Sequence, residues 1–559
     1  MKRNILRKFN NLTRYQEILR VFIKYGFNDT VNRISIAILP RNDKNLLLTQ
    51  KDNLVALSTS ERIRMAFEEL GATFIKLGQM LSLRSDFIPA EFAKEFSKLQ
   101  DSVQKDEIEK IKSVFIQEFG KPVNEIFLEF DEIPIAAASI AQVHKAKLKS
   151  GEIVAVKILH PGVAKKIEAD LEILKDIARL IETHIPESRF YEPVEIIKEF
   201  DKTIQKELNL VFEGQNIDIF RYHLQNDSAI KIPIVYWEYT SESILVTEFI
   251  NGTKISDLRK NEASDIDPKQ VTMNAANSLM KQIFEIGIFH ADPHPGNIFV
   301  LPGNIIAPID FGNIGRIDDD MRNVLVEIVM GIVDQDPHKI TKVLSNIGVV
   351  DDSTNLRVLK LDLMEFINHY YGVPVNRINI SKVMDEFVEV IRTHQIKLPP
   401  DINILIRTLV ISEAVAKELY SQFNLAEILM PFAKKEYLNK LNPVTRYRSL
   451  IRTAEESFDL LKKLPEDVQS IFYKFRNDKF TMTFKHQGLE EFGRRIDCSS
   501  NRLSFAIIIS ALIIASSIIM YLNKGNLLWD YPVIGIAGFA ATSILGIWLL
   551  IGIMRSGKL

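Results

Sequence analysis

One cysteine, Cys498, is the entire thiol content of a 559-residue chain. No internal disulfide and no thiolate zinc cluster can form from it, so a reducing compartment fits best. Charge of one sign is also missing. The 70 Lys and Arg residues nearly balance the 72 Asp and Glu, which excludes a surface built throughout to coat nucleic acid. At 46% hydrophobic and 25% charged, the chain is not wholly disordered either. It has no fixed-period repeat and no low-complexity tract. Its length corresponds to about three or four domains at roughly 150 residues each.

What is present is unevenly placed. Leu503 to Leu522 is a run of 20 residues without a charge, and Val533 to Met554 is a second run of 22. About 20 such residues cross a hydrocarbon core of about 30 Å. The ten-residue link between them carries Trp529 and Tyr531, which suit an interface. Gly538, Thr542 and Gly546 recur every fourth residue and predict a smooth face for close helix contact. Arg494, Arg495 and Arg502 precede the first run, Arg555 and Lys558 follow the second, and only Lys524 lies between. The positive-inside rule then predicts a two-pass hairpin with both ends and the large N-terminal body cytoplasmic.

The first 25 residues hold seven basic residues and one acid, with no apolar run of signal-peptide length. A basic amphipathic helix on an anionic membrane fits this stretch, and so does a plain solvated helix. Residues 58–83 read as one helix. Ser58 and Glu61 have capping-box spacing, and Ile63, Phe67, Leu70, Phe74, Leu77 and Leu81 form its packed stripe. Gly71 and Gly78 inside it imply close packing, and Lys76 and Gln79 project together at i,i+3. Around Ser150-Gly151, two apolar β-branched runs predict a hairpin. Helices are expected over about 163–184 and 193–220, and strands over 232–250. Beyond that the pattern is helical to about 430, interrupted at 288–316, with a charged helical stalk over 431–500.

The densest chemical signal is FHADPHPGNIFV (289–300) followed by APIDFGNIGR (307–316). Phosphoryl transfer needs a carboxylate for the attacking hydroxyl, an amide oxygen and a second carboxylate for magnesium, and a lysine for the phosphates. Asp292 and Asn297 have the five-residue separation of a kinase catalytic loop, and Asp310-Phe311-Gly312 spells D-F-G. Lys157 stands in VAVKI, on the second strand of the predicted hairpin. Each element alone is weak, but their order along the chain is specific. A transition-metal cluster of His290, His294, Asp292 and Asp310 is disfavoured: no H-E-x-x-H exists, and Pro293 and Pro295 preclude a helix there. His290 is expected to hold the loop by hydrogen bonds.

Taken together, the chain resembles the UbiB family of atypical protein-kinase-like proteins, also called aarF-domain kinases, over about residues 60–430. KLGQMLSLRSDFIP (76–89) resembles the family's K-x-G-Q signature. Ala136, Ala137, Ala138 and Ser139 match the alanine-rich loop that replaces the glycine-rich loop. KELNLVFEGQN (206–216) is similar to the segment with two glutamates. The resemblance implies that Glu213 pairs with Lys157, and that Glu207 joins Lys76 and Gln79 in the K-x-G-Q environment. Asp292 is then the catalytic-loop aspartate, and Asn297 and Asp310 are the Mg2+ ligands. Ala136–Ser139, Lys157, Glu248 and Ile250 make up the ATP-contacting set. The family often carries Glu-Leu-Asp where this chain has Glu207-Leu208-Asn209, which puts a specific role for Asn209 in doubt. No A-P-E follows D-F-G, so a protein substrate is disfavoured.

The expected fold is α+β: a two-lobed protein-kinase-like fold with an N-terminal helical extension and a C-terminal transmembrane helical hairpin. Its expected parts are a basic leader (1–57), the K-x-G-Q extension (58–123), an N-lobe (124–250), a C-lobe (251–430), the stalk (431–500) and the anchor (501–559). The resemblance implies an ATPase, or a kinase of small molecules or lipids, using ATP and Mg2+. It would support synthesis of ubiquinone or a related isoprenoid quinone at the bacterial inner membrane. The implied partners are the bilayer, an isoprenoid quinone precursor or lipid, and quinone-biosynthesis enzymes, with no nucleic acid. Two alternatives stay open: a phosphotransferase of the aminoglycoside or choline kinase type, and a non-catalytic nucleotide-sensing scaffold.

Overall fold

The computed structural model describes residues 14–27, 57–82, 88–99, 106–184, 192–260, 266–334, 336–346, 355–394, 396, 398–441, 489–522, 527–528 and 531–555. These fall into two compact units, Met1–Tyr447 and Arg448–Leu559. Much of the expected leader (1–13 and 28–56) and most of the expected stalk (442–488) lie outside the described residues.

Where it is described, the leader is a helix, α1 (14–24). Its Ile18, Leu19 and Val21 are buried in one core with Phe67, Leu70 and Phe74, and Arg14 Nε donates to Asp170 at 2.7 Å. For residues 14–24 this corrects both expectations; residues 1–13 lie outside the described residues. The apolar side lies against protein, so α1 is neither a membrane-surface helix nor a freely solvated one.

The helix expected over 58–83 is two helices, α2 (Thr59–Leu70) and α3 (Ala72–Ser82). The start is as expected: Ser58 Oγ accepts from Glu61 N–H, while Glu61 accepts from Ser58 N–H at 2.8 Å. The break falls at Gly71, whose φ of 91° is left-handed territory that residues with a Cβ avoid. Phe67, Leu70, Phe74 and Leu77 stay buried on both sides of it. The short α4 (Ala90–Phe96) packs back on α2, with the Phe96 ring stacked 5.3 Å from Phe67.

The predicted hairpin is the centre of a five-stranded antiparallel sheet. Its strands are β1 (Phe127–Phe130), β2 (Ala136–Ala137), β3 (Ala141–Leu148), β4 (Ile153–Leu159) and β5 (Ile244–Glu248), ordered β1-β3-β4-β5 with β2 against β3. Strand residues alternate faces. Val154, Val156 and Ile158 pack under α5 (Ile108–Phe119), against Ile111, Val114 and Phe115. Lys157 therefore points from the opposite face.

The helix α6 (Val163–His184) matches expectation, but the segment from 193 divides into α7 (Pro193–Glu207) and α8 (Leu210–Leu224). Asn209 makes the division, its Oδ1 accepting from Val211 N–H at 3.0 Å as an N-cap. A local structural role therefore exists for the residue that departs from the family pattern. Strand structure within 232–250 is confined to β5; Trp237–Tyr239 is a 3-10 turn.

The second lobe is mainly helical, with α9 (Pro268–Lys281), α10 (Asp319–Val333) and α11 (Pro400–Leu419) prominent. The interruption at 288–316 contains short strands: β6 (Thr253–Lys254) pairs with β8 (Ile298–Leu301), which pairs with β9 (Ile305–Pro308). In a separate ladder β7 (Ile288–His290) pairs with β10 (Ile314–Arg316). These ladders bring the catalytic-loop motif and D-F-G side by side. The fold is thus kinase-like, mixed in class and mostly helical.

The second unit contains two helices, α12 (Leu489–Leu522) and α13 (Val533–Arg555). Among the described residues one helix, over Ser499–Leu522, is long and apolar enough to cross a membrane. A shorter apolar stretch runs over Val533–Leu549. The two touch closely where Ser516 and Thr542 are buried, and a Cβ on Gly538 would meet Ser516 Oγ at 2.1 Å. The small-residue face is in part as expected. Gly546 meets nothing within 4 Å, whereas Gly535 lies against Met520.

Candidate functional site

Strand alternation delivers Lys157 to the cleft, and the turn at Asn209 sets α8 so that Glu213, in its first turn, meets it. Lys157 Nζ donates to both carboxylate oxygens of Glu213 at 2.8 Å. Glu213 is buried, and Asp310 Oδ2 is 3.8 Å from the same ammonium. Burial opposes the charge on Lys157, but Asp310 and Glu213 outweigh it and raise its pKa. Burial also pushes Asp310 upward, yet Lys157, the Gly312 N–H and His290 hold its carboxyl below the usual range. Glu213 is shifted upward by burial, with Asp310 adding to that shift and Lys157 opposing it. A charged lysine and an ionised aspartate therefore share the mouth of the cleft.

His290 ties the two halves of the motif together. Its Nε2 donates to the Asp310 carbonyl, and its Nδ1 accepts from Asp292 N–H at 3.3 Å. Those roles require the neutral ring with its proton on Nε2. Burial lowers its pKa against the charges of Asp310 and Asp292, in keeping with that state. A π-turn over Gln282–Ile286 presents Gln282 Oε1 to His290 N–H at 3.0 Å. The Asn297 carbonyl accepts from Ile309 N–H at 3.0 Å, so Asn297 lies beside D-F-G. Asp310 Oδ1 accepts from Gly312 N–H at 3.0 Å, and its carboxylate is 41% exposed. A carboxylate and an amide oxygen are hard donors, the set that suits Mg2+. Among the described residues no three His, Cys, Asp or Glu side chains converge as a transition-metal site would require.

Lys76 Nζ is 3.1 Å from Glu207, and Gln79 Nε2 donates to the Leu99 carbonyl at 3.2 Å. Lys76 also contributes positive charge at both Lys157 and Asp310, so the extension borders the cleft. Ala136 and Ala137 pair with Val143 and Gln142, and Ala138 N–H donates to Ala141 O at 2.8 Å. The alanine loop is thus a closed turn. Ser139 within it is buried, and its hydroxyl has no partner. Glu248 N–H donates to Ile234 O at 2.8 Å, and its carboxylate faces Lys231 at 3.0 Å. Ile250 is buried where the chain leaves the sheet.

Two further residues, outside the motifs, belong to the site. Asn216 Nδ2 donates to the Phe311 carbonyl at 2.9 Å, fastening α8 to D-F-G. The available signal was its i,i+3 spacing from Glu213. Arg407 lies on α11, whose Thr408 hydroxyl donates to the Ala291 carbonyl at 3.2 Å. Burial lowers the Arg407 pKa, and Asp292 is the charge that opposes the shift. A single Arg inside the apolar run LIRTLVI was the signal there.

The ABC1 atypical kinase-like domain matches residues 98–344, the UbiB helical domain 363–424, and the ABC1/UbiB kinase-like C-terminal domain 487–555. The chain is 32% identical to an uncharacterized protein in the hydrogenase 1 5′ region of Clostridium pasteurianum, over 98% of this chain and 100% of that one. It is 30% identical to the probable protein kinase UbiB of Aliivibrio fischeri, over 84% of this chain and 87% of that one. A Mycobacterium tuberculosis protein solved with erythromycin is 21% identical, covering 63% of this chain and 89% of that chain, with a TM-score of 0.46.

Proposed function

Since the chain belongs to the ABC1/UbiB family of atypical kinase-like proteins, we propose that it binds ATP with Mg2+ between its lobes and hydrolyses it or transfers its phosphate to a small lipid-like acceptor. The observation that carries this reading is the Lys157–Glu213 pair, 2.8 Å on both oxygens, facing Asp310 beside the Asp292 loop. Asn297 and Asp310 would hold Mg2+, which when bound neutralises charge on the phosphate oxygens. Lys157 would balance the non-transferred phosphates, and Asp292 would orient or deprotonate the attacking hydroxyl. His290, neutral and hydrogen-bonded to both motif segments, would keep Asp292 and Asp310 in register.

The choice of a small acceptor over a peptide is supported by the extension, whose Lys76 pairs with Glu207 of α7 at the edge of the cleft, and by the absence of A-P-E. The two-pass topology, the cytoplasmic face of the inner membrane, and the place in ubiquinone or related quinone synthesis form the finer part of the proposal. They are supported by the family resemblance, by the apolar helix over Ser499–Leu522, and by its partner's second uncharged run.

ATP hydrolysis by the purified full-length chain, with Mg2+ and quinone-precursor-like lipids, tests the chemistry against Asp310→Asn. Wild type should turn over at least about tenfold faster, about 1.4 kcal/mol in barrier. Equal slow rates would remove the enzymatic reading. Deleting the gene should alter the isoprenoid-quinone profile, and an unaltered profile would remove the biosynthetic one.

A further inference from the structure

The alanine turn is held by residues that none of the chemical motifs includes. His160, which follows β4, donates its own N–H to the Ile140 carbonyl at 2.8 Å. Its ring Nε2 is 2.9 Å from the Ala138 carbonyl, and its Nδ1 is 2.6 Å from Asp106 Oδ2. Asp106 N–H donates to Gln142 Oε1 at 3.0 Å; Gln142 Nε2 is 2.8 Å from His144 Nε2, and His144 Nδ1 is 2.8 Å from the Asp131 carbonyl. Gln142 and His144 are wholly buried.

Donor and acceptor chemistry orders this chain. The Gln142 oxygen accepts from Asp106, so its NH2 group faces His144 Nε2, which must accept. His144 is then neutral with its proton on Nδ1, donated to Asp131 O; burial lowers its pKa, in the same direction. At the other end both partners of His160 are acceptors. The Ala138 carbonyl requires a proton on Nε2, and a second proton lies between Nδ1 and Asp106.

In a trans peptide the C=O and the next N–H point opposite ways. Pinning the Ala138 carbonyl on His160 therefore turns the Ser139 N–H away from His160, and it keeps that carbonyl from facing a phosphate. In the same residue the buried Ser139 hydroxyl has no protein partner.

We propose that His160 and Asp106 are positioning residues that clamp the alanine turn so that Ser139 offers its N–H and hydroxyl to a phosphate oxygen of the nucleotide. This rests on the nucleotide-binding reading above. The clamp substitutes for what a glycine-rich loop obtains by flexibility: the turn is held in one conformation instead of closing on the ligand. It also ties the turn to Asp106, at the start of the segment that leads into α5.

The test uses the full-length chain in detergent with Mg2+ and a fluorescent adenine nucleotide. His160→Ala and Asp106→Ala should each weaken binding about tenfold, about 1.4 kcal/mol. The double variant should be no weaker than either single one, because the two act as one unit. Amide hydrogen exchange at 138–141, measured without nucleotide, should speed up in all three. Single variants that bind as wild type does, losses that add in the double variant, or unchanged exchange would each overturn the clamp. Lys157→Met is the control for the nucleotide reading. Wild type that binds no better than this variant overturns that reading, and the positioning role with it. Wild type that binds well alongside unaffected His160 and Asp106 variants overturns the clamp alone.

Discussion

Lys76 and Glu207 form a 3.1 Å ion pair between the α2–α3 extension and the end of α7, with about a fifth of each side chain exposed. The pair brings the extension to the edge of the cleft that holds Lys157 and Asp310. Two residues further on, Gly78 sets how closely α3 can approach the rest of the extension.

A Cβ on Gly78 would lie 2.3 Å from Leu99 Cδ1 and 2.9 Å from Phe67 Cδ2. Phe67 is stacked on Phe96, and the Leu99 carbonyl is the acceptor for Gln79. Gly78→Ala gains about 1 kcal/mol in helix propensity. Overpacking of this kind costs about 1–3 kcal/mol. The expected net result is a lower urea midpoint with an unchanged slope, accompanied by loss of the Gln79–Leu99 bond. An equal or higher midpoint would show that Leu99 moves aside freely.

Lys157→Met leaves the Glu213 carboxylate buried next to Asp310 with no cation between them. Breaking one side of a buried pair costs about 3–5 kcal/mol, a large part of a typical stability of about 5–15 kcal/mol. The double variant Lys157→Met/Glu213→Gln removes both charges and should recover much of that loss. Thermal unfolding of the four proteins in the cycle measures the coupling. A double variant less stable than Lys157→Met would contradict the assignment.

Asp227 fastens the loop after α8 to α9. Burial raises its pKa, but the Lys281 ammonium at 2.6 Å and the Ala229 N–H at 3.0 Å overcome this and hold it below the ordinary carboxylate range. A folded-state pKa below the unfolded value of about 3.9 gives stability that is present above that pH and lost as pH falls through the folded value. Asp227→Asn should therefore be less stable at neutral pH and show a flatter acid limb below about pH 4, measured by chemical denaturation across pH. An acid limb parallel to wild type would refute the linkage.

Much of the architecture is legible locally. The Ser58–Glu61 box, the alternation in VAVKI and the apolar stripe of α2 and α3 each depend on residues within a turn or two, where periodicity alone dictates the buried side. The same holds for the order Lys157, Asp292, Asn297, Asp310, because each motif is short and its spacing is set by local chain geometry. Breaks were harder to see. Gly71 and Asn209 end helices through backbone conformation and capping, and neither interrupts the hydrophobic pattern.

The kinase-like class, the family, the motif residues and the uncharged C-terminal runs are legible along the chain, because these are written in neighbours and in fixed spacings. Packing in three dimensions settles which distant groups meet. It places Glu213 on Lys157, Asn216 on the Phe311 carbonyl, Arg407 within the field of Asp292, and the Asp106–His160 pair on the Ala138 carbonyl. It also put the basic leader helix into a protein core, where composition had allowed a membrane surface or solvent. Burial and hydrogen-bond partnership depend on how the elements pack, and no window along the chain contains both partners.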